Sequence, residues 1–222
     1  MWMPDDAWWT AAAKGGGNLR DKSAKVRYVA PAHARNLRDA HLAISKQSGV
    51  VSTLALVESE GLNAFASSAE GRNTVAVTLD FLDALGNDRD ALAATLGHEV
   101  AHLHYRHGAT RQERATTAQG ASHAIGTLLG LVGVPFGGTI ASVGVTAVTT
   151  SFSRDEEREA DAKGLEWATA AGYSACGSAH TIRMLQSKSE SASLPFLSTH
   201  PGHEERIESA SLLSRKLTGK AC

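Results

Sequence analysis

The sequence predicts an α+β fold, mainly helical, with a small β-sheet that has an antiparallel edge. Three observations carry that expectation. Residues 50–79 hold three short runs of strand-forming residues separated by polar and glycine-containing breaks. Residues 32–48 and most of the chain from Asp88 onward place apolar residues at helical spacing. Two of those helical stretches carry histidine or carboxylate residues four apart, a spacing that puts both side chains on one helix face.

A chain of 222 residues is long enough to bury a sizeable core in one domain. Its net charge of −1 and pI near 6.8 offer no electrostatic footprint for nucleic acid or an anionic membrane surface. The two cysteines, Cys176 and Cys222, form no C-x-x-C pair, and their spacing leaves a disulfide open.

In chain order, residues 1–24 read as a flexible tail and residues 25–222 as a single domain. Three tryptophans, Trp2, Trp8 and Trp9, precede the stretch Ala11-Ala12-Ala13-Lys14-Gly15-Gly16-Gly17, which has linker composition. A segment that docks on the body is the alternative. No basic stretch followed by an apolar run marks a signal peptide, so the chain as written is expected in the cytoplasm. A periplasmic or membrane-associated location is the alternative if the N-terminus is trimmed.

Ala32 to Ser48 has helical spacing at Leu37, His41, Leu42 and Ile44 and stops at Gly49. Val50–Val57, Asn63–Ala66 and Thr74–Leu79 read as strands, the last two joined as a hairpin through Glu70-Gly71-Arg72-Asn73. Asp88 is a candidate N-cap for a helix whose apolar stripe is Leu92, Leu96, Val100 and Leu103. Residues 115–153 carry no formal charge and are interrupted by Pro135 and Gly137-Gly138. Each half is about fifteen residues, short of the roughly twenty that span a bilayer, so two packed helices are expected rather than a membrane hairpin. Ser153 and Glu156 form a capping-box pattern that opens the next helix. Gly164 lies on the same side of that helix as Glu157 and Asp161 and leaves room for a close neighbour. A final helix runs from His203 to Leu217.

The chemistry concentrates in two motifs. His98-Glu99-Val100-Ala101-His102 is H-E-x-x-H, whose two imidazoles lie one turn apart and can converge on one zinc ion. Glu99 projects about 100° away, beside such a metal rather than onto it. A catalytic zinc needs a third protein ligand and an open position. Glu157-Arg158-Glu159-Ala160-Asp161 offers Glu157 as that ligand. It also offers Asp161, one turn later, to orient a ligand imidazole. His104 and His107 are not at i+4 from the ligand pair and read as structural or surface groups. Arg206, in Glu204-Glu205-Arg206, reads as a surface ion-pair member. Asn63 is open between an edge-strand turn residue and a contact to substrate backbone.

These residues resemble the HtpX and CAAX-prenyl-protease family of zinc metallopeptidases, within the gluzincins. The likeness rests on Asn63-Ala64-Phe65-Ala66, the H-E-x-x-H motif with His107 beyond, Ser153-Arg154 through Glu157, Ala160 and Asp161, and Ser198-Thr199-His200-Pro201. The strings follow the family's order over residues 50 to 207. Ser67-Ser68-Ala69-Glu70-Gly71 replaces the family's usual Pro-Gly-Gly after N-A-F. The resemblance implies a mainly helical zincin-like core in residues 25–222, one zinc per chain held by His98, His102 and Glu157, and Glu99 as catalytic base. It implies a metalloendopeptidase in protein quality control. An extended or unfolded peptide would pair with the edge strand at Asn63, Ala64 and Phe65, where backbone hydrogen bonding is largely sequence-blind. A chaperone-like or binding module with a structural zinc, and a zinc hydrolase of another substrate class, are the alternatives.

The family string also places a histidine at His200. Pro201 biases His200 toward an extended backbone, projecting its side chain away from the coming helix. A protonated His200 would stabilise a developing oxyanion. A neutral one would occupy the fourth metal position and act as a latch. A loop histidine capping the next helix is the plain alternative.

Overall fold

The computed structural model describes residues 1–20, 25–58, 61–109, 152–188, 194–201 and 203–222. The uncharged stretch expected as packed helices lies outside these residues as far as position 151. Among the described residues, no helix is long and apolar enough to cross a membrane.

Helix α1 spans Asp6–Gly15, strand β1 Gly17–Arg20, strand β2 Val26–Val29 and helix α2 Pro31–Ser48. The described part of the expected tail, residues 1–20, is therefore structured. Asp5 caps α1 by accepting the amide of Trp8, and Trp9 and Ala12 are buried in the core. Burying an indole outweighs the flexibility that Ala-Gly composition suggests. Trp2 also exchanges two backbone hydrogen bonds with Leu56, at 2.7 and 2.9 Å. The docking alternative is the one observed. In α2, Ala34, Leu37, Ala40, His41 and Ile44 face the core, whereas Leu42 is half exposed because it falls outside that stripe. Gly49 ends α2 in the left-handed conformation, as a helix-terminating glycine does.

The main sheet has the order β3 (Thr53–Val57), β5 (Arg72–Thr78), β4 (Ala64–Ala69), with β3–β5 parallel and β5–β4 antiparallel. Glu70 and Gly71, both at positive φ, turn the chain tightly between β4 and β5. One face, with Leu54, Leu56, Ala64, Val75 and Val77, joins the principal core; Ala55, Val57, Phe65 and Ala76 cluster on the other. Trp2 covers part of the β3 edge, and β4 forms the opposite edge. Thr78 ends β5 and caps a short helix, α3 (Leu79–Leu85), so Leu79 opens a helix instead of closing the expected strand.

Helix α4 (Arg89–His104) opens on Asp88, whose carboxylate accepts two backbone amides. Every residue from Ala91 to His102 is buried. The expected one-sided stripe thus understates α4, which packs against α2, β4 and two later helices, α5 (Arg154–Ala170) and α6 (Gly177–Ser187). Ala93, Ala94, Gly97 and Ala101 provide the small surfaces that let those neighbours approach. The capping box of α5 forms in both directions between Ser153 and Glu156. A short helix, α7 (Pro195–Thr199), and α8 (His203–Thr218) complete the chain, and Cys176 and Cys222 form a disulfide between the start of α6 and the segment after α8.

Helices α4 and α5 touch backbone to backbone. A Cβ built on Gly164 would lie 2.5 Å from the carbonyl carbon of Gly97 and from the amide nitrogen of His98. Neither neighbour is a flexible side-chain end. Gly164→Ala should therefore destabilise the protein by about 1–3 kcal/mol through overpacking. For a domain of this size that lowers Tm by about 2–4 °C per kcal/mol. Thermal unfolding checks it; an unchanged Tm would argue against this contact.

Candidate metal centre

The site forms where α4, α5 and the turn after α7 meet. His98 and His102, one turn apart on α4, aim their Nε2 atoms at the same point and bring them to 3.0 Å. Glu157 enters from the first turns of α5. Its Oε1 lies 3.4 Å from His102 Nε2, and its Oε2 3.6 Å from His98 Nε2. His200 enters from the turn between α7 and α8, with Nδ1 3.0 Å from His98 Nε2 and 2.9 Å from Glu157 Oε1. All four residues are buried, and one donor atom from each lies within 4.8 Å of the others. Four ligands about 2.0–2.1 Å from a tetrahedral metal stand about 3.3–3.4 Å apart. The spacings found straddle that value, and the donor set of imidazole nitrogens and a carboxylate suits a divalent metal. The residues present therefore fit the group that the sequence implies.

Glu99 stands outside this donor set, its Oε1 3.4 Å from His200 Nε2. Burial pushes its pKa up to about 8, against the pull of His98 and the smaller pull of the Ala66 backbone amide on β4. A carboxyl so raised is matched to exchanging a proton near neutral pH. Burial also acts on Glu157. There it is overcome by His98, His200 and the imidazole hydrogen bonds, which hold the carboxyl far below the usual carboxylate range. Glu157 is thus an anionic donor. Burial drives the pKa of His102 well below that of an ordinary imidazole and that of His200 down to about 4, although Glu157 pulls both upward. His98 goes the other way, because Glu157 and Asp161 outweigh burial.

The ring nitrogens that face away from the cluster are also engaged. His98 Nδ1 lies 2.8 Å from Asp161 Oδ1. Asp161 is in turn gripped by Arg206, with Nε 2.6 Å from Oδ2 and Nη2 2.7 Å from Oδ1. Arg206 is buried, reaches within 2.8 Å of Glu157 Oε2 as an ion pair, and donates to the His200 carbonyl. The surface ion-pair reading of Arg206 is corrected. The signal lay in the helical spacing Arg206, Ala210, Ser214, the buried face of α8. His107 is also buried, with Nδ1 2.8 Å from His102 Nδ1. His104, by contrast, packs at the rim against Tyr105 and Trp167. Phe152 stacks on His102 with ring centres 3.7 Å apart and also faces His200.

Asn63 immediately precedes β4, the edge strand beside α4, and Ala64 and Phe65 begin it. The Asn63 carbonyl accepts the amide of Thr78 on the β5 side, so alternation turns the peptide groups of Ala64 and Ala66 to the side of β4 that no described strand pairs. The Ala64 side chain is in the core, and Phe65 lies on the opposite sheet face.

Comparison with known proteins adds an independent finding. A model of peptidase family M48 matches residues 31–214. The chain is 30% identical over 181 residues to a protease HtpX homolog of Salinibacter ruber, covering 65% of this chain and 62% of that protein. It is 32% identical over 125 residues to a Vibrio cholerae sequence described as a beta-barrel assembly-enhancing protease, covering 52% of this chain and 26% of that sequence. The chain thus spans less than two thirds of the length of either relative.

Glu157 and Glu159 separate by position. Glu157 is 1% exposed within the donor cluster, whereas the Glu159 side chain is 59% exposed and faces His107. Glu157→Ala should lose the metal and Glu159→Ala should retain one per chain at saturating metal. Elemental analysis of the two purified variants decides it, and the reverse pattern would assign the wrong carboxylate.

Proposed function

The chain belongs to peptidase family M48, and from that premise we propose that it is a zinc-dependent metalloendopeptidase acting on extended or unfolded protein segments. The observation that carries the reading is the convergence of His98, His102 and Glu157 on one point with Glu99 beside it. These three residues would hold one zinc ion. Bound zinc would polarise the scissile carbonyl and bring the pKa of a water from about 15.7 toward about 7. Glu99 takes the proton of the attacking water and returns it to the leaving amine. Asp161 keeps the His98 ring turned toward the cluster through its Nδ1. An incoming peptide pairs with the outward peptide groups of β4, the strand packed beside the α4 helix that carries Glu99.

The same chemistry suits a role in protein quality control, because backbone pairing selects extended conformation over sequence. The Cys176–Cys222 disulfide supports an oxidising compartment, the periplasmic alternative, over the cytoplasm.

His200 is read here as a latch. Its Nδ1 stands among the ligand atoms, and burial keeps the ring neutral, with a lone pair to offer. A protonated, oxyanion-stabilising His200 fits that environment less well. The His200 position also favours a second reading, because four buried protein donors are what a closed structural zinc site has. That is the chaperone-like or binding-module alternative.

Two predictions separate these readings. Glu99→Gln should keep the fold and one zinc per chain while peptide turnover falls by at least ~10², the scale of general-base loss. Near-native turnover in the pure variant would sink the mechanism. His200→Ala should raise turnover of a flexible peptide if the latch reading holds. Lowered turnover with zinc retained would assign it to transition-state stabilisation, and a fall in Tm with no peptidase activity would favour the structural site.

A further inference from the structure

The two ligand histidines of α4 are held from behind by different devices. His98 meets a carboxylate directly, Asp161. His102 meets another imidazole. His107 Nδ1 lies 2.8 Å from His102 Nδ1, and His107 Nε2 lies 3.3 Å from Glu159 Oε2. His107 is five residues beyond His102, a spacing that does not share a face on a continuous helix. The chain makes the contact because α4 ends at His104 and Arg106 takes a left-handed conformation, φ 57°. That bend folds His107 back under His102. Tyr105 stacks flat on the His107 ring at 5.4 Å.

The hydrogens can be arranged in one consistent direction. A His102 that offers the Nε2 lone pair to a metal carries its hydrogen on Nδ1. That N–H donates to His107 Nδ1, which must then be the acceptor. His107 accordingly carries its hydrogen on Nε2 and donates it to the Glu159 carboxylate. Both partners of the chain outside the donor set therefore favour the metal-binding tautomer of His102.

We propose that His107, anchored by Glu159, is a positioning residue that fixes the ring orientation and tautomer of His102 for metal binding. This rests on the zinc-ligand reading above, and it adds a residue that sequence spacing assigns only to structure or surface. Loss of such an outer hydrogen-bond partner typically weakens metal affinity ~10- to 100-fold.

The test measures zinc affinity of the full chain by competition with a chromophoric chelator, apart from any peptidase assay. His107→Leu removes the acceptor at similar volume and should weaken zinc binding ~10- to 100-fold. His107→Gln returns a side-chain acceptor and should recover most of the affinity, and Glu159→Ala should lose less than His107→Leu. A purely packing role would make Gln no better than Leu, which would overturn the proposal, as would wild-type affinity in folded His107→Leu. Should His107→Leu fail to fold, nitrogen-15 NMR of zinc-loaded wild type still decides. Scalar coupling between His102 Nδ1 and His107 Nδ1 across the hydrogen bond is expected, and its absence would overturn the relay. Stoichiometric zinc in wild type, lost in Glu157→Ala, tests the ligand reading independently of all three variants.

Discussion

The site depends on how closely α4 and α5 approach. Two donors come from one helix and a third from the other, and they must meet within a few ångströms. Side chains of fixed length achieve this only when the two backbones nearly touch. Gly97 and Gly164 permit that contact next to His98, and a methyl group on either would push the helices apart. Burial of α4 on all sides follows from the same geometry. A helix that carries the donors through the middle of the domain needs small residues wherever a neighbour crosses it.

Burying so many ionisable groups demands compensation. Glu157 and Asp161 are anionic within the core, and Arg206 pairs with both while also donating to the backbone at His200. Removing one partner from such a cluster typically costs about 3–5 kcal/mol, because an uncompensated charge stays behind. Arg206 therefore links two parts of the site: the α5 carboxylates, one of which anchors His98, and the loop that carries His200. The disulfide between Cys176 and Cys222 ties the segment after α8 to the start of α6, bracing the helix that supplies Arg206.

The β4 edge and the donor cluster are joined through the packing of β4 on α4, where the Ala66 amide acts on Glu99. This places the proposed base where a strand-like substrate would lie. It also explains why so short a sheet suffices. The sheet's contribution is an edge at a set distance from α4, with its other margin partly covered by Trp2.

Local chemistry was legible in the sequence alone. The i, i+4 spacing of His98 with His102 and of Glu157 with Asp161, the caps Asp88 and Ser153, the stop at Gly49 and the Glu70-Gly71 turn all depend on residues within a turn or two of one another. What needed tertiary structure involves partners far apart in the chain, or a local break in regular geometry. The N-terminal segment reads as linker until Trp9 finds the core. Arg206 reads as a surface cation until α8 packs on α5 and delivers it to Asp161, 45 residues away. His107 reads as a bystander until the left-handed Arg106 swings it beneath His102. Periodicity reports which face of an element is apolar. It carries no information about which charged group will be buried opposite another, because that is decided by how helices distant in sequence cross.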